Sequence, residues 1–151
     1  MRYLVHDRKF SLRIHATYPV GNDFILKNCV EFCKNKDVPK SSTCYLIYQD
    51  VLYNPENKVI SFAFRYALFD SPIGAVYAYE NDILNSFSIG SLYHKGKRIY
   101  FLCKVKLRKM LVINAKIAWT IYDDINEIGS GLEKIEGNVK ADAKIQLVLK
   151  L

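Results

Sequence analysis

Acidic residues are missing from a long central stretch of this chain. The forty positions from Ile83 to Tyr122 hold no Asp and no Glu, yet carry eight Lys or Arg. These are Lys95, Lys97, Arg98, Lys104, Lys106, Arg108, Lys109 and Lys116. Outside the stretch 14 basic residues stand against 15 acidic ones, so the formal net charge of +7 is a local property. A local excess of one sign calls for a partner of the other. Phosphate is the common one, on an anionic lipid surface or a nucleic-acid backbone.

Other absences narrow the chemistry. There are four cysteines (Cys29, Cys33, Cys44 and Cys103) and three histidines (His6, His15 and His94). No second cysteine pair at ligand spacing accompanies Cys29 and Cys33, which argues against a zinc site. The thiols are expected to be buried and free, in a reducing compartment. The chain has no Gly-x-Ser-x-Gly elbow, no glycine-rich phosphate loop before a helix and no histidine pair at helical spacing. No enzymatic activity, cofactor or metal is therefore expected, and the adjacent Asp123 and Asp124 read as a solvated turn. No apolar run approaches the ~20 residues of a spanning helix. Met1–Asp7 is too short and too soon charged for a signal peptide, and Met1 is not followed by the glycine that myristoylation needs. Contact with a membrane is thus expected to be peripheral, and the default location cytosolic.

What is present is a domain-sized chain of 151 residues, half of them hydrophobic, with 11 Tyr and 8 Phe. Without a linker, repeat or low-complexity tract, residues 1–151 read as a single globular domain. Phe10–Tyr18 alternates apolar with polar, the period of a half-buried strand. Asn22 or Asp23 can cap a helix over Asp23–Lys36, with Ile25, Leu26, Cys29, Val30, Phe32 and Cys33 as its apolar stripe. Thr43–Tyr53 and Lys58–Phe69 read as a hairpin about Asn54–Asn57. A break at Asp70–Pro72, a short strand at Ile73–Tyr79 and a second hairpin (Phe87–Tyr93 with Arg98–Leu107) follow. Leu111–Tyr122 is the strongest strand, and after a glycine-containing loop with a helical turn near Leu132–Ile135, Ala143–Leu151 alternates again. Short links imply antiparallel pairing. The expected class is α+β: a twisted antiparallel sheet or partly open β-barrel with one main helix packed on it.

Alternation places Lys104, Lys106 and Arg108 on one face of their strand, with Cys103, Val105 and Leu107 on the other. The preceding turn adds Lys95, Lys97 and Arg98. Each such cation contributes about 1 kcal/mol near an anionic bilayer, and on RNA the same group would bind in a salt-sensitive, sequence-blind way. A run of like charge is also the ordinary wet face of a sheet, with acids such as Glu133, Glu136 or Asp142 set opposite.

The alternating N-terminal strand, the helix at Asp23–Lys36 and the late basic hairpin running into Ala115-Lys116-Ile117-Ala118-Trp119-Thr120-Ile121-Tyr122-Asp123-Asp124 together resemble the matrix proteins of rhabdoviruses. The resemblance covers about two-thirds of the chain as an order of elements and a few residues as motif. It implies a virion structural protein without a catalytic site that self-associates. Such a protein would bind the anionic inner leaflet at the cytoplasmic face of host membranes, and the viral nucleocapsid, during assembly and budding. The chain lacks the long basic N-terminal arm of the animal-virus members and any PPxY or PTAP-type motif. The competing expectations are an RNA-binding protein, such as a viral silencing suppressor or movement protein, using the same patch, and a small barrel enclosing an apolar ligand or an enzyme with a spatially assembled site. Replacing Lys104, Lys106 and Arg108 with Glu is expected to leave the fold intact and to abolish binding to acidic vesicles or RNA. Unchanged binding in a flotation assay would remove the patch as a functional site.

Overall fold

The computed structural model describes residues 8–36, 41–57, 59–86, 88–107, 110–129, 131 and 134–149. It is an all-β protein. The strands are β1 (Arg8–Val20), β2 (Phe24–Lys36), β3 (Ser41–Tyr53), β4 (Ile60–Glu80), β5 (Ser88–Leu107), β6 (Leu111–Tyr122), β7 (Glu127–Ile128), β8 (Ile135–Glu136) and β9 (Val139–Leu149). Seven of them form one antiparallel sheet in the order β1-β2-β3-β4-β5-β6-β9, and β7 with β8 makes a small separate hairpin. The alternating segments at Phe10–Tyr18 and Leu111–Tyr122 are strands, as their period requires, and Thr43–Tyr53 is a strand paired with β4, as the hairpin reading expects.

The α+β expectation is overturned: no α-helix occurs among the described residues, and the segment read as a helix is strand β2. The reason is visible in its side chains. Phe24, Leu26, Val30 and Phe32 occupy one parity, while Ile25, Cys29 and Cys33 occupy the other. Apolar residues on both faces mimic a helical stripe, and pairing along the full length of β1 and of β3 decides the conformation. The helical turn read at Leu132–Ile135 falls partly outside the described residues, and Ile135 lies in β8. The expectation of four free thiols is corrected as well. Cys33 and Cys44, partners in the β2–β3 register, form a disulfide, while Cys29 and Cys103 are free.

The second expected hairpin is one long, bent ribbon. β5 continues through the supposed turn at His94–Lys97, and β4 continues through Asp70–Pro72. Between the Ser71–His94 and Val76–Leu92 pairs the register slips, because β4 inserts extra residues there. Gly74 (φ 83°) and His94 (φ 66°) adopt left-handed conformations at this bulge, and so re-aim the ribbon. Its distal part, Val76–Glu80 with Ser88–Leu92, folds back over the sheet as an arm. Val76, Ala78 and Leu92 of the arm pack on Cys33, Cys44, Leu46, Ala67 and Phe69 of the sheet to form the principal core.

The arm crosses the strands instead of following one. Its Tyr77 carbonyl accepts from Arg13 of β1, and its continuation reaches Gln146 of β9 through the Leu84 carbonyl. Six strand spacings separate β1 from β9, roughly 29 Å in a flat sheet. Seven residues from Tyr77 to Leu84 span at most about 24 Å even when fully extended. The sheet therefore curls around the arm, concave on the face that meets it and convex on the other.

Gly96 pairs with Tyr122 at the end of the β5–β6 ladder, where the β6 backbone crowds the space a side chain would need. A Cβ at this position would lie 2.2 Å from the Ile121 carbonyl oxygen and 3.0 Å from the Tyr122 Cα, both backbone atoms. Gly96→Ala is expected to lower unfolding free energy by at least about 2 kcal/mol, as measured by denaturant titration. A wild-type midpoint would show that β5 and β6 have room to separate.

Candidate functional site: a charged seam and an apolar face

The two faces of the sheet differ completely. On the concave face, polar side chains of β1, β4, β5, β6 and β9 meet the arm and its continuation, and those of β2 and β3 pair with them. At β1, Arg13 forms an ion pair with Glu31, and the Ser11 hydroxyl donates to the same carboxylate at 2.6 Å. At β3 and β4, Arg65 grips Asp50 through Nε and Nη2 (2.5 and 2.7 Å), and its Nη1 donates to the Tyr79 carbonyl at 2.7 Å. The guanidinium also lies 3.8 Å over the Tyr48 ring. At β5, the Tyr100 hydroxyl accepts from the Asn81 backbone N–H and side-chain amide at 3.2 and 3.0 Å. Glu80 then receives Arg98 at 2.5 and 3.1 Å and Lys116 at 3.0 Å. Asp82 receives Lys144 of β9 at 2.8 Å. The result is a seam running from one edge of the sheet to the other.

The seam relocates two of the eight basic residues. Arg98 and Lys116 are not surface charges; their side chains are 12% and 4% exposed and share Glu80. Lys95 is exposed beside Asp124, whose carboxylate accepts from its backbone N–H. Lys97 is half-buried on the convex side opposite Leu68, and Lys104 and Lys106 are half-buried on the concave side, as alternation requires. Arg108 and Lys109 lie outside the described residues, as do His6 and Glu133. The eight thus do not form one patch among the described residues. A cleft of about 350 Å³ between arm and sheet is lined by Glu80, Arg98, Lys116, Thr120, Lys140 and Asp142. Arg98 uses Nε and Nη2 on Glu80 and Nη1 on Thr120, so an incoming anion would have to displace bonds already made.

Sequence reasoning missed Asp50, Arg65, Glu31 and Arg13. The hairpin register carried the signal: with the turn at Asn54–Asn57, Asp50 falls opposite Arg65 on the same face. It also missed that His15 Nε2 lies 3.8 Å from Cys29 Sγ. Cys29 is 1% exposed, so its thiol is closed to solvent although His15 itself is exposed. Among the described residues, no group of three or more His, Cys, Asp or Glu could hold a metal ion.

The convex face is apolar from edge to edge. β1 presents Phe10, Leu12, Ile14, Tyr18 and Val20; β4 presents Ile60, Phe64, Tyr66 and Leu68; β9 presents Ile145, Leu147 and Leu149. Four rings from β2 to β5 run in contact across it, Phe24–Tyr53, Tyr53–Phe62 and Phe62–Phe101, at 4.9, 5.1 and 5.7 Å between centroids. With side chains of ~150–250 Å² apiece, the exposed apolar area is on the order of 2,000 Å², against ~300–600 Å² for the largest patch on an ordinary monomer. No helix among the described residues is long and apolar enough to cross a membrane, a statement that does not bear on crossing by strands. No family model, curated protein or solved structure matches the chain.

Burial raises the pKa of the Glu80 carboxyl, but the bonds to Arg98 and then Lys116 outweigh it and hold the group below its ordinary 4.5. A depressed carboxylate stabilises the fold above its unfolded pKa and loses that contribution as pH falls through the folded value. Wild type is therefore expected to keep this contribution at neutral pH and to lose it progressively below about pH 4.5. Glu80→Gln should cost about 3 kcal/mol at pH 7, because two buried cations lose their nearest carboxylate and keep only the more distant Asp142 and Asp82, and should flatten the acid limb of the stability profile. An unchanged acid limb in urea titrations across pH would show that other carboxylates set it.

Proposed function

We propose that the protein is a non-catalytic structural protein that works with its apolar face covered, self-associating at a membrane. The observation that carries this reading is the convex face itself, a continuous apolar surface several times larger than monomers in water sustain. A standard interface removes ~800 Å² per partner, so the face is large enough for a permanent association. The assembly role implied by the matrix resemblance is kept, but its basis moves from the basic hairpin to the apolar sheet. The early helix of that resemblance is strand β2. The Cys33–Cys44 disulfide supports an oxidising environment for at least part of the protein's life, in place of the reducing one expected from sequence.

A second reading, contact with RNA or a nucleocapsid, would fall to Lys95, Lys97, Lys104 and Lys106, which form no ion pair among the described residues. It would show itself as binding that weakens steeply with salt.

Sedimentation of the purified chain in buffer, with and without a mild detergent, tests the leading reading. The expected outcome is an associated particle in buffer and a detergent-carrying one when detergent is present. A compact monomer in buffer that binds no hydrophobic dye would refute it.

A further inference from the structure

Resting on the reading that the apolar face is covered, we propose what covers it: the acyl chains of a lipid bilayer, with copies of this chain joined edge to edge into a closed, lipid-facing β-barrel. Four observations lead here.

The first is inverted polarity. The buried face carries Asp50, Arg65, Lys116 and Thr120 beside the small core around Leu46, Ala67 and Phe69, while the open face carries Phe, Leu, Ile and Val without a charge inside the band. Apolar-out and polar-in alternation is the pattern of membrane-spanning strands.

The second is the width of the apolar band. On the convex side it runs over Phe10–Val20, Phe24–Phe32, Tyr45–Tyr53, Ile60–Leu68, Ile99–Leu107, Leu111–Ile121 and Val139–Leu149. Each segment is about 9–11 residues, the length that crosses a hydrocarbon core as a tilted strand. Within the band the convex parity holds no charge, and its only amides are Asn28 and Gln49, which face each other across β2 and β3. Lys34, Asp70 and Lys97 stand just beyond it.

Curvature is the third. A convex sheet laid against another convex sheet touches along a strip, whereas fluid acyl chains follow the surface everywhere. A second copy packed face to face would leave much of the band wet.

The fourth is the pair of open edges. β1 and β9 are long, apolar on the convex side and unpaired on their outer flanks among the described residues. In lipid such edges must be closed. In an antiparallel sheet of seven strands the first and last run the same way, so β1 of one copy meets β9 of the next as a parallel ladder. That contact is heterologous and closes as a ring. The arm and its seam then fill the lumen.

Trp119, the only tryptophan of the chain, lies on the convex face within the band and is 36% exposed. The test reconstitutes the full chain into phosphatidylcholine vesicles, with and without bromine on the acyl chains, at low and high salt. We expect the Trp119 emission to shift to the blue and to lose most of its intensity with brominated lipid, equally at both salt concentrations. An Ile14→Cys/Ile145→Cys variant should give covalent oligomers under oxidation, since β1 and β9 are opposite edges of one sheet and can meet only between copies. Ile117→Arg should abolish the bromine quenching, while circular dichroism in detergent reports whether the sheet persists. A blue-shifted Trp119 in plain buffer, in a discrete dimer that bromolipid does not quench, overturns the proposal in favour of a second copy on the face and leaves the reading of a covered face standing. Binding only to phosphatidylserine vesicles, lost at high salt, overturns it in favour of the basic hairpin. A monomer with water-exposed Trp119 that ignores vesicles overturns both.

Discussion

The fold hangs on a ribbon that crosses its own sheet. Strands of an open meander are tied only to their neighbours, and nothing in the ladder fixes how far such a sheet curls. Here the arm touches β1 through Arg13, β4 through Arg65, β5 through Tyr100, β6 through Lys116 and β9 through Lys144 and Gln146. Each contact is polar and directional, so each sets a distance between arm and strand. Buried ion pairs of this kind add little net stability over well-packed apolar residues, because desolvation offsets most of the Coulomb gain. Their effect is on uniqueness: a seam with one member misplaced leaves a buried charge unpaired. The fold therefore tolerates one arrangement of arm on sheet, and that arrangement defines the concave and convex faces from which the functional reading follows.

The same ribbon explains the charge pattern. The acid-free run from Ile83 to Tyr122 is bounded by Glu80 and Asp82 before it and by Asp123 and Asp124 after it. Folding the arm back brings Glu80 onto Arg98 and Lys116, and Asp82 onto Lys144 and toward Lys116. For Arg98 and Lys116 the counter-charge thus lay just before the segment and is returned by the hairpin. A net charge localised in sequence need not be localised on the surface, and here two of its strongest members are interior.

Legibility from sequence followed how much of each element's conformation is decided locally. β1 and β6 alternate cleanly because one face is apolar and the other largely polar, and they could be read directly; β3, apolar on both parities, was legible from its aromatic and β-branched content and the turn that follows it. β2 could not, since Ile25, Cys29 and Cys33 put apolar side chains on the polar parity as well. What makes β2 a strand is register with β1 and β3, including the Cys33–Cys44 bridge. β4 and β5 looked like four short strands because Pro72, Gly74, His94 and Gly96 punctuate them. Those residues bend a continuous ribbon, and a bulge and a turn share the same composition. The site was less legible than the fold: apolar parity on every strand was present in the sequence, but that all seven parities fall on one uncovered face is a property of the topology.

A one-sided apolar sheet is ordinarily completed from within, by a helix or a second sheet of the same chain. Here the one element available to lie on the sheet, the arm, lies on the polar side. That choice follows from charge. Arg65, Arg98 and Lys116 need partners once removed from water, and Glu80, Asp82 and the arm carbonyls are those partners. Had the arm folded onto the convex face instead, it would have taken Glu80 from Arg98 and Lys116 and the Tyr79 carbonyl from Arg65, and placed its own carboxylates against Phe64 and Ile117. The uncovered apolar surface is therefore the necessary complement of the charged seam. The chain pairs the charges of its seam internally and buries a small core under the arm, but leaves a larger apolar surface to the surroundings, which water disfavours and a hydrocarbon solvent accepts.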